Sequence, residues 1–156
     1  MTTFTSPLTD EGRKTTGEAL QASVVDLIDL ALTGKQLHWH TQGPRFRDVH
    51  LQLDVVVGIA RQYTDAYAER AVTIGCTVDG RPATVARDTG VQDVTTGYQR
   101  DTDVVHTMSQ MLQGVSERLQ RRIDATGDTD PVSQDILIAG AEAIQEQSWW
   151  FQAMDA

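Results

Sequence analysis

A single cysteine, Cys76, leaves this chain of 156 residues with no intrachain disulfide to form, a usage that fits a reducing compartment. No stretch of about 18 apolar residues is present, so no bilayer-spanning helix is expected. The polar opening MTTFTSPLTDEGRK has neither the basic nor the apolar region of a signal peptide. A cytoplasmic protein is the expectation. Cationic residues are scarce too: 13 Lys and Arg stand against 22 Asp and Glu, for a formal charge of −9. Phosphate contact needs clustered Lys and Arg, so a nucleic-acid surface is disfavoured, whereas an acidic surface suits solubility and the attraction of cations. The chain also lacks a Gly-rich phosphate loop, a serine nucleophile elbow and a paired CxxC, which leaves nucleophilic catalysis without support.

What the chain does contain is helical periodicity. Leu20, Val24, Leu27, Ile28, Ala31 and Leu32 recur every three or four residues within a first helix from about Asp10 to His40. Gly43 and Pro44 break the pattern in TQGPR, and a second helix runs from about Arg47 to Ile74, closed by Gly75. Residues 76–92 leave room for a short helix around Ala83 to Arg87. A third long helix is expected from about Val94 to Ala125, although Thr95, Thr96 and Gly97 are poor helix formers and could push its start later. TGDTD interrupts the pattern again, and Pro131 opens a last helix to about Met154. Nothing alternates as a strand over a useful length. The expected architecture is therefore all-α: one domain over residues 1–156, a four-helix bundle with a short helix in the connection between helices two and three.

Chemistry concentrates on the second helix. His50 with Asp54, and Asp65 with Glu69, are i, i+4 pairs, so each projects both side chains from one face a turn apart. Asp54 and Asp65 are separated by about three turns, which places both pairs on nearly the same stripe but roughly 16 Å apart along the axis. One metal centre cannot span that distance. A second copy crossing antiparallel about a two-fold axis would bring Asp54 opposite Asp65 and His50 opposite Glu69, completing two equivalent sites from two half-sites. Gly58 and Ala60 lie at the middle of that pairing, where small side chains would let the helices approach. His38, in KQLHWH at the end of the first helix, is the candidate fifth ligand. Two imidazoles and three carboxylates form a borderline donor set suited to Fe(II) and tolerant of Fe(III).

The competing view is an ordinary solvated stripe, but the helix reads VVVGIA beside these acids, and carboxylates buried by a partner require a counter-charge. His40 points away from His38 and is read as non-ligating. His106 is isolated, Cys76 is structural, and Trp39, Trp149 and Trp150 are core or interface candidates. Arg118, Arg121 and Arg122 form a basic cluster, read as a solvated helix face. A di-iron or di-manganese enzyme acting on a small molecule would draw its ligands from one chain, with EXXH elements that are missing here.

The ordered set KQLHWH, GPRF, VHLQLD, DAYAERAVTIG and a terminal DIL followed by WWF resembles the Dps family, the miniferritins of the ferritin-like superfamily, over nearly the whole chain. The resemblance implies a hollow homododecamer, a ferroxidase that oxidises Fe(II) with hydrogen peroxide or dioxygen and stores ferric mineral, protecting against oxidative stress. It implies that His38, His50 and Asp54 are ligands from one subunit and Asp65 and Glu69 those of its two-fold mate, with up to two irons per site. Trp39 matches the tryptophan that intercepts oxidising equivalents, and Asp130 and Asp135 match pore-lining positions, although helix-start aspartates also serve as caps. Two departures stand out: His40 where asparagine is frequent, and Val55 where an acidic residue often follows Asp54, removing charge near the site. Family members that condense DNA often carry lysine-rich tails; residues 1–12 here hold only Asp10 and Glu11 as charges, and no basic run precedes Ala156. DNA binding is doubtful on that ground. The alternative function is a nucleoid protein that coats DNA, with the metal site secondary.

Overall fold

The computed structural model describes residues 5–156, ordered as α1 (Asp10–His40), β1 (Thr41–Gln42), α2 (Phe46–Thr73), α3 (Pro82–Asp88), β2 (Gln99–Arg100), α4 (Asp101–Thr126) and α5 (Pro131–Asp155). Helix α1 packs mainly on α2, and α4 on α5, and the two hairpins close into a four-helix bundle, with the short α3 lying on α1. Leu20, Leu27, Leu30, Leu53, Met108, Leu112, Leu119, Leu137 and Phe151 fill its core. None of the helices is long and apolar enough to cross a membrane, among the described residues.

The helix ends follow from local chemistry. Thr9 caps α1, its hydroxyl accepting from Gly12 N–H at 3.1 Å, with Asp10 and Glu11 in the first turn complementing the dipole. Gly75 takes φ +83° after α2. It donates to Val72 O while Cys76 N–H donates to Ala71 O, both at 2.9 Å, the paired bonds of a glycine-closed helix end. Pro131 opens α5 behind the capping Asp130.

The third long helix begins at Asp101, seven residues later than the Val94 expected from sequence. Gly97 at φ +91° cannot continue a helix, and the next residues pair in parallel with the α1–α2 loop, Thr41 with Gln99 and Gln42 with Arg100. That two-residue bridge was not legible as a strand. Asp101, buried at the start of α4, accepts Arg45 N–H at 2.6 Å and Thr102 N–H at 2.8 Å. The bridge and this carboxylate fix the loop that joins the end of α1 to the start of α2, and so set the placement of His38 against His50.

Helices α2 and α5 meet closely at Gly140, where an added Cβ would fall on the Tyr67 hydroxyl and lie 2.9 Å from Tyr63 Cδ1. Tyr67 is fully buried, its hydroxyl donates to Leu137 O at a long 3.4 Å, and burial pushes its ionisation well above the ordinary value. Gly140→Ala is expected to cost roughly 3 kcal/mol by overpacking. Thermal melts check this: Tyr67→Phe in the Gly140→Ala background should recover part of the loss, and additive losses would contradict the contact.

Candidate metal centre

The end of α1 and the start of α2 bring His38, His50 and Asp54 together. His38 Nδ1 lies 2.8 Å from His50 O, and His50 Nδ1 lies 2.9 Å from His38 O. The two rings stack at 3.6 Å. Each imidazole donates its Nδ1–H to the other residue's carbonyl, which leaves both Nε2 lone pairs available; a bond from the other ring nitrogen to a carbonyl fixes the tautomer of a metal-binding histidine. His38 O belongs to the last turn of α1, where carbonyls lack intrahelical donors, so the bond from His50 also satisfies a helix end. Phe46 lies against His50, ring centres 4.9 Å apart. Asp54 Oδ1 lies 3.3 Å from His38 Nδ1 and 2.5 Å from Lys35 Nζ. That ammonium, hydrogen-bonded to Asp54, is the main cause holding its carboxyl below the ordinary carboxylate range, and burial opposes it.

Asp65 and Glu69 stand further along α2, exposed, and no side-chain hydrogen bond or ion pair engages either one among the described residues. No group of three or more His, Cys, Asp or Glu side chains in the described residues is close enough to hold a metal within one chain. Each chain brings His38, His50 and Asp54 near one another at one end of the stripe, short of a closed metal-holding group, and carries Asp65 and Glu69 at the other. The surface around them is open and mixed: Leu51 is 47% and Val55 45% exposed on α2 and Leu32 on α1 is 61% exposed, and Arg61 and Gln62 are exposed between Asp54 and Asp65. Asp65 borders a cavity of about 270 Å³ lined by Ile28, Ala31, Leu32 and Ala68 together with Arg61 and Thr64. Gly58 faces the same open side, with nothing within 4 Å of a built Cβ. Ala60, expected beside it, is fully buried in the chain's own core, because two further residues turn the helix by more than half a revolution.

The remaining sequence candidates have definite positions. Trp39 is 62% exposed, and Trp149 and Trp150 are 61% and 46% exposed, so none of the three is core. His40 turns back to Gln36 O at 3.0 Å, away from the site. His106 Nδ1 pairs with Asp155 at 2.8 Å, and the Cys76 thiol packs against Gly17 and donates to Arg13 O at 3.4 Å. Of the two pore candidates, Asp135 is exposed, but Asp130 is buried, capping Val132 N–H and bound to Arg70 and Ser133. Arg118 and Arg122 are not a solvated face, since both are largely buried against Asp26; only Arg121 is exposed. The contribution that sequence reasoning missed is that of Lys35. Its signal was its place at i−3 from His38 on one face of α1, but its partner lies on the other helix.

A bundle of this topology, with imidazoles and carboxylates gathered where α1 meets α2, is that of the ferritins, and the family model described as "Ferritin-like domain" matches residues 17–155. Among curated proteins, the chain is 35% identical to the DNA protection during starvation protein of Mycolicibacterium smegmatis over 156 residues, covering 98% of this chain and 84% of that one. Among solved structures it is similar to Mycobacterium smegmatis Dps, with a TM-score of 0.93 at 33% identity over 99% of this chain and 94% of that one. It is also similar to Dps from Microbacterium arborescens in the high iron form, with a TM-score of 0.90 at 29% identity, covering 96% and 97% of the two chains. The chain belongs to the Dps family of ferritin-like proteins.

Proposed function

We propose that this chain is the subunit of a hollow homododecamer that oxidises Fe(II) with hydrogen peroxide or dioxygen at sites shared by two-fold related subunits and stores the ferric product as mineral. The observation that carries the reading is the crossed pair of imidazole–carbonyl bonds, which commits both Nδ1 atoms and leaves both Nε2 atoms free, with Asp54 3.3 Å from His38 Nδ1, while Asp65 and Glu69 stay uncommitted on the same stripe. The exposed apolar Leu32, Leu51 and Val55 beside this stripe support a second copy as the missing half. The high iron form of the Microbacterium arborescens relative supports iron as the substrate.

In this reading His38, His50 and Asp54 of one subunit and Asp65 and Glu69 of its mate hold up to two Fe(II). The protein's work is placement: two reductants held together deliver two electrons to one peroxide, so that two Fe(II), one H2O2 and two protons give two Fe(III) and two waters without release of hydroxyl radical. Trp39, largely exposed and next to His38 in sequence, is the candidate to take stray oxidising equivalents. Asp135 is the exposed carboxylate for a pore leading iron inward. Protection of the cell from oxidative damage follows, with action in the cytoplasm.

The experiment is anaerobic Fe(II) loading followed by peroxide, tracking Fe(III) absorbance and hydroxyl radical. Oxidation faster than in protein-free buffer, consuming about two Fe(II) per peroxide with little radical, is the expected result; a rate equal to the protein-free control would refute it. The names of the relatives favour a second reading, a DNA-coating protein, against which the charge of −9 weighs. Tight, salt-sensitive gel shifts would reverse that ranking.

A further inference from the structure

The half-site already holds a cation. Lys35 Nζ lies 2.5 Å from Asp54 Oδ1, the same oxygen that faces His38 Nδ1 at 3.3 Å. Lys35 and His38 lie three residues apart on α1, so the ammonium is delivered to the site by the same helix face as the imidazole. The lysine side chain is only 25% exposed, whereas Asp54 is 46% exposed. The ammonium is therefore partly enclosed, with a route to solvent on the carboxylate side. A lysine, unlike an arginine, carries its charge at one point on a flexible four-carbon stem and forms no bidentate fork with a carboxylate, so it can leave without breaking two parallel bonds.

We infer that Lys35 is a resident counter-ion that occupies Asp54 when no metal is present and must swing away for Asp54 to ligate one, so that metal capture at this site is an exchange of one cation for another. This rests on the reading of His38, His50 and Asp54 as metal ligands. Two consequences follow. A divalent ion near Asp54 is repelled by the ammonium at close range until Lys35 reaches water, and Lys35 also competes directly for the carboxylate oxygen. The residue therefore weakens equilibrium binding. In return it holds Asp54 Oδ1 beside His38. Lys35 touches no reacting atom in this account and acts through Asp54, as a positioning residue.

The direction of the effect separates this role from a structural one, because loss of a structural support loosens metal binding and loss of a competitor tightens it. The test uses the full assembled protein and Co(II), which reports coordination by its visible absorption and undergoes no oxidation by peroxide-free buffer. Wild type, Lys35→Met and Lys35→Arg are titrated by calorimetry and absorption, with Asp54→Asn as the ligand control and circular dichroism melts to establish folding. Lys35→Met is expected to bind Co(II) about tenfold more tightly than wild type, and Lys35→Arg to bind it more weakly, since a bidentate guanidinium is harder to displace. Equal or weaker binding by a folded Lys35→Met, in a protein whose Co(II) binding is lost in Asp54→Asn, overturns the exchange and leaves the metal centre standing. Absence of Co(II) binding in wild type, or binding indifferent to Asp54→Asn, overturns the metal centre and the exchange with it. If Lys35→Met does not fold, Lys35→Gln carries the same expectation and the same refutation.

Discussion

Asp65→Ala/Glu69→Ala is expected to slow Fe(II) oxidation by peroxide by more than about a hundredfold, exceeding the 10–100-fold effect usual for an outer-shell partner of a metal ligand, while changing the stability of the folded subunit by less than about 0.5 kcal/mol. The asymmetry follows from their surroundings. Both carboxylates are exposed and engage no other side chain among the described residues, and the bond from Thr73 Oγ1 at 2.8 Å goes to the Glu69 backbone carbonyl, so removing the carboxylates takes nothing from the fold of one chain. A change of comparable chemistry at the other cluster is different in kind. His50→Ala should also abolish oxidation, but it frees His38 O at the end of α1 and removes the stacking partner of His38, so some loss of stability should accompany it. Initial rates and thermal melts on the same preparations would separate the two behaviours. Retained oxidation in the Asp65/Glu69 variant would mean that the second half of the stripe is an ordinary solvated face.

The largest stability effect is expected far from the iron reading, at Asp26. This carboxylate is 1% exposed. It accepts from Arg118 Nε at 2.9 Å and from Gly90 N–H at 2.8 Å, and pairs with Arg122 at 2.7 Å, joining α1 to α4 and to the connector. The geometry is tight enough that a Cβ on Gly90 would come within 2.8 Å of Arg118 Nε, and Arg118 Nη2 is buried without a partner among the described residues. Asp26→Ala strands two largely buried guanidinium groups, which should cost about 3–5 kcal/mol. Replacing all three charges with apolar side chains of similar volume should return most of that loss, because the desolvation penalty disappears along with the attraction. Denaturant unfolding of the single and triple variants is the check. A single variant within 1 kcal/mol of wild type would show that the arginines find water by a small rearrangement.

Much of this fold was legible because its signals are local. Pro131, Gly75 and the breakers Gly43 and Pro44 bound helices whose apolar residues recur at helical spacing, and α1, α2, α3 and α5 lie within about a residue of the expected limits. The start of α4 was misplaced because residues 94–100 are held by a partner far away in sequence, the α1–α2 loop, through a bridge too short to leave any alternation. The same division runs through the site. The two i, i+4 pairs are spaced by the helix itself and could be read directly. The hydrogen bonds that orient His38 and His50, the Lys35 ammonium on Asp54, and the use of Arg118 and Arg122 as partners for Asp26 all cross between helices. Residue type alone pointed the wrong way for those arginines: three in five positions read as surface, and the buried acid that claims two of them is more than ninety residues earlier. Asp130 adds a contact of the same kind, since Arg70 of α2 and Ser133 bind the carboxylate that the family position suggested for a pore.

Sharing of the site between two copies is tested most directly by mixing two dead subunits. Subunits carrying His50→Ala/Asp54→Ala are co-expressed with subunits carrying Asp65→Ala/Glu69→Ala, and mixed assemblies are verified by mass spectrometry before peroxide-driven Fe(II) oxidation is measured. Each variant alone should be inactive. In a randomly mixed population half the two-fold pairs are mixed and each holds one intact site, so activity should return to about a quarter of wild type. Verified mixing with no recovered activity would contradict a site built from both subunits.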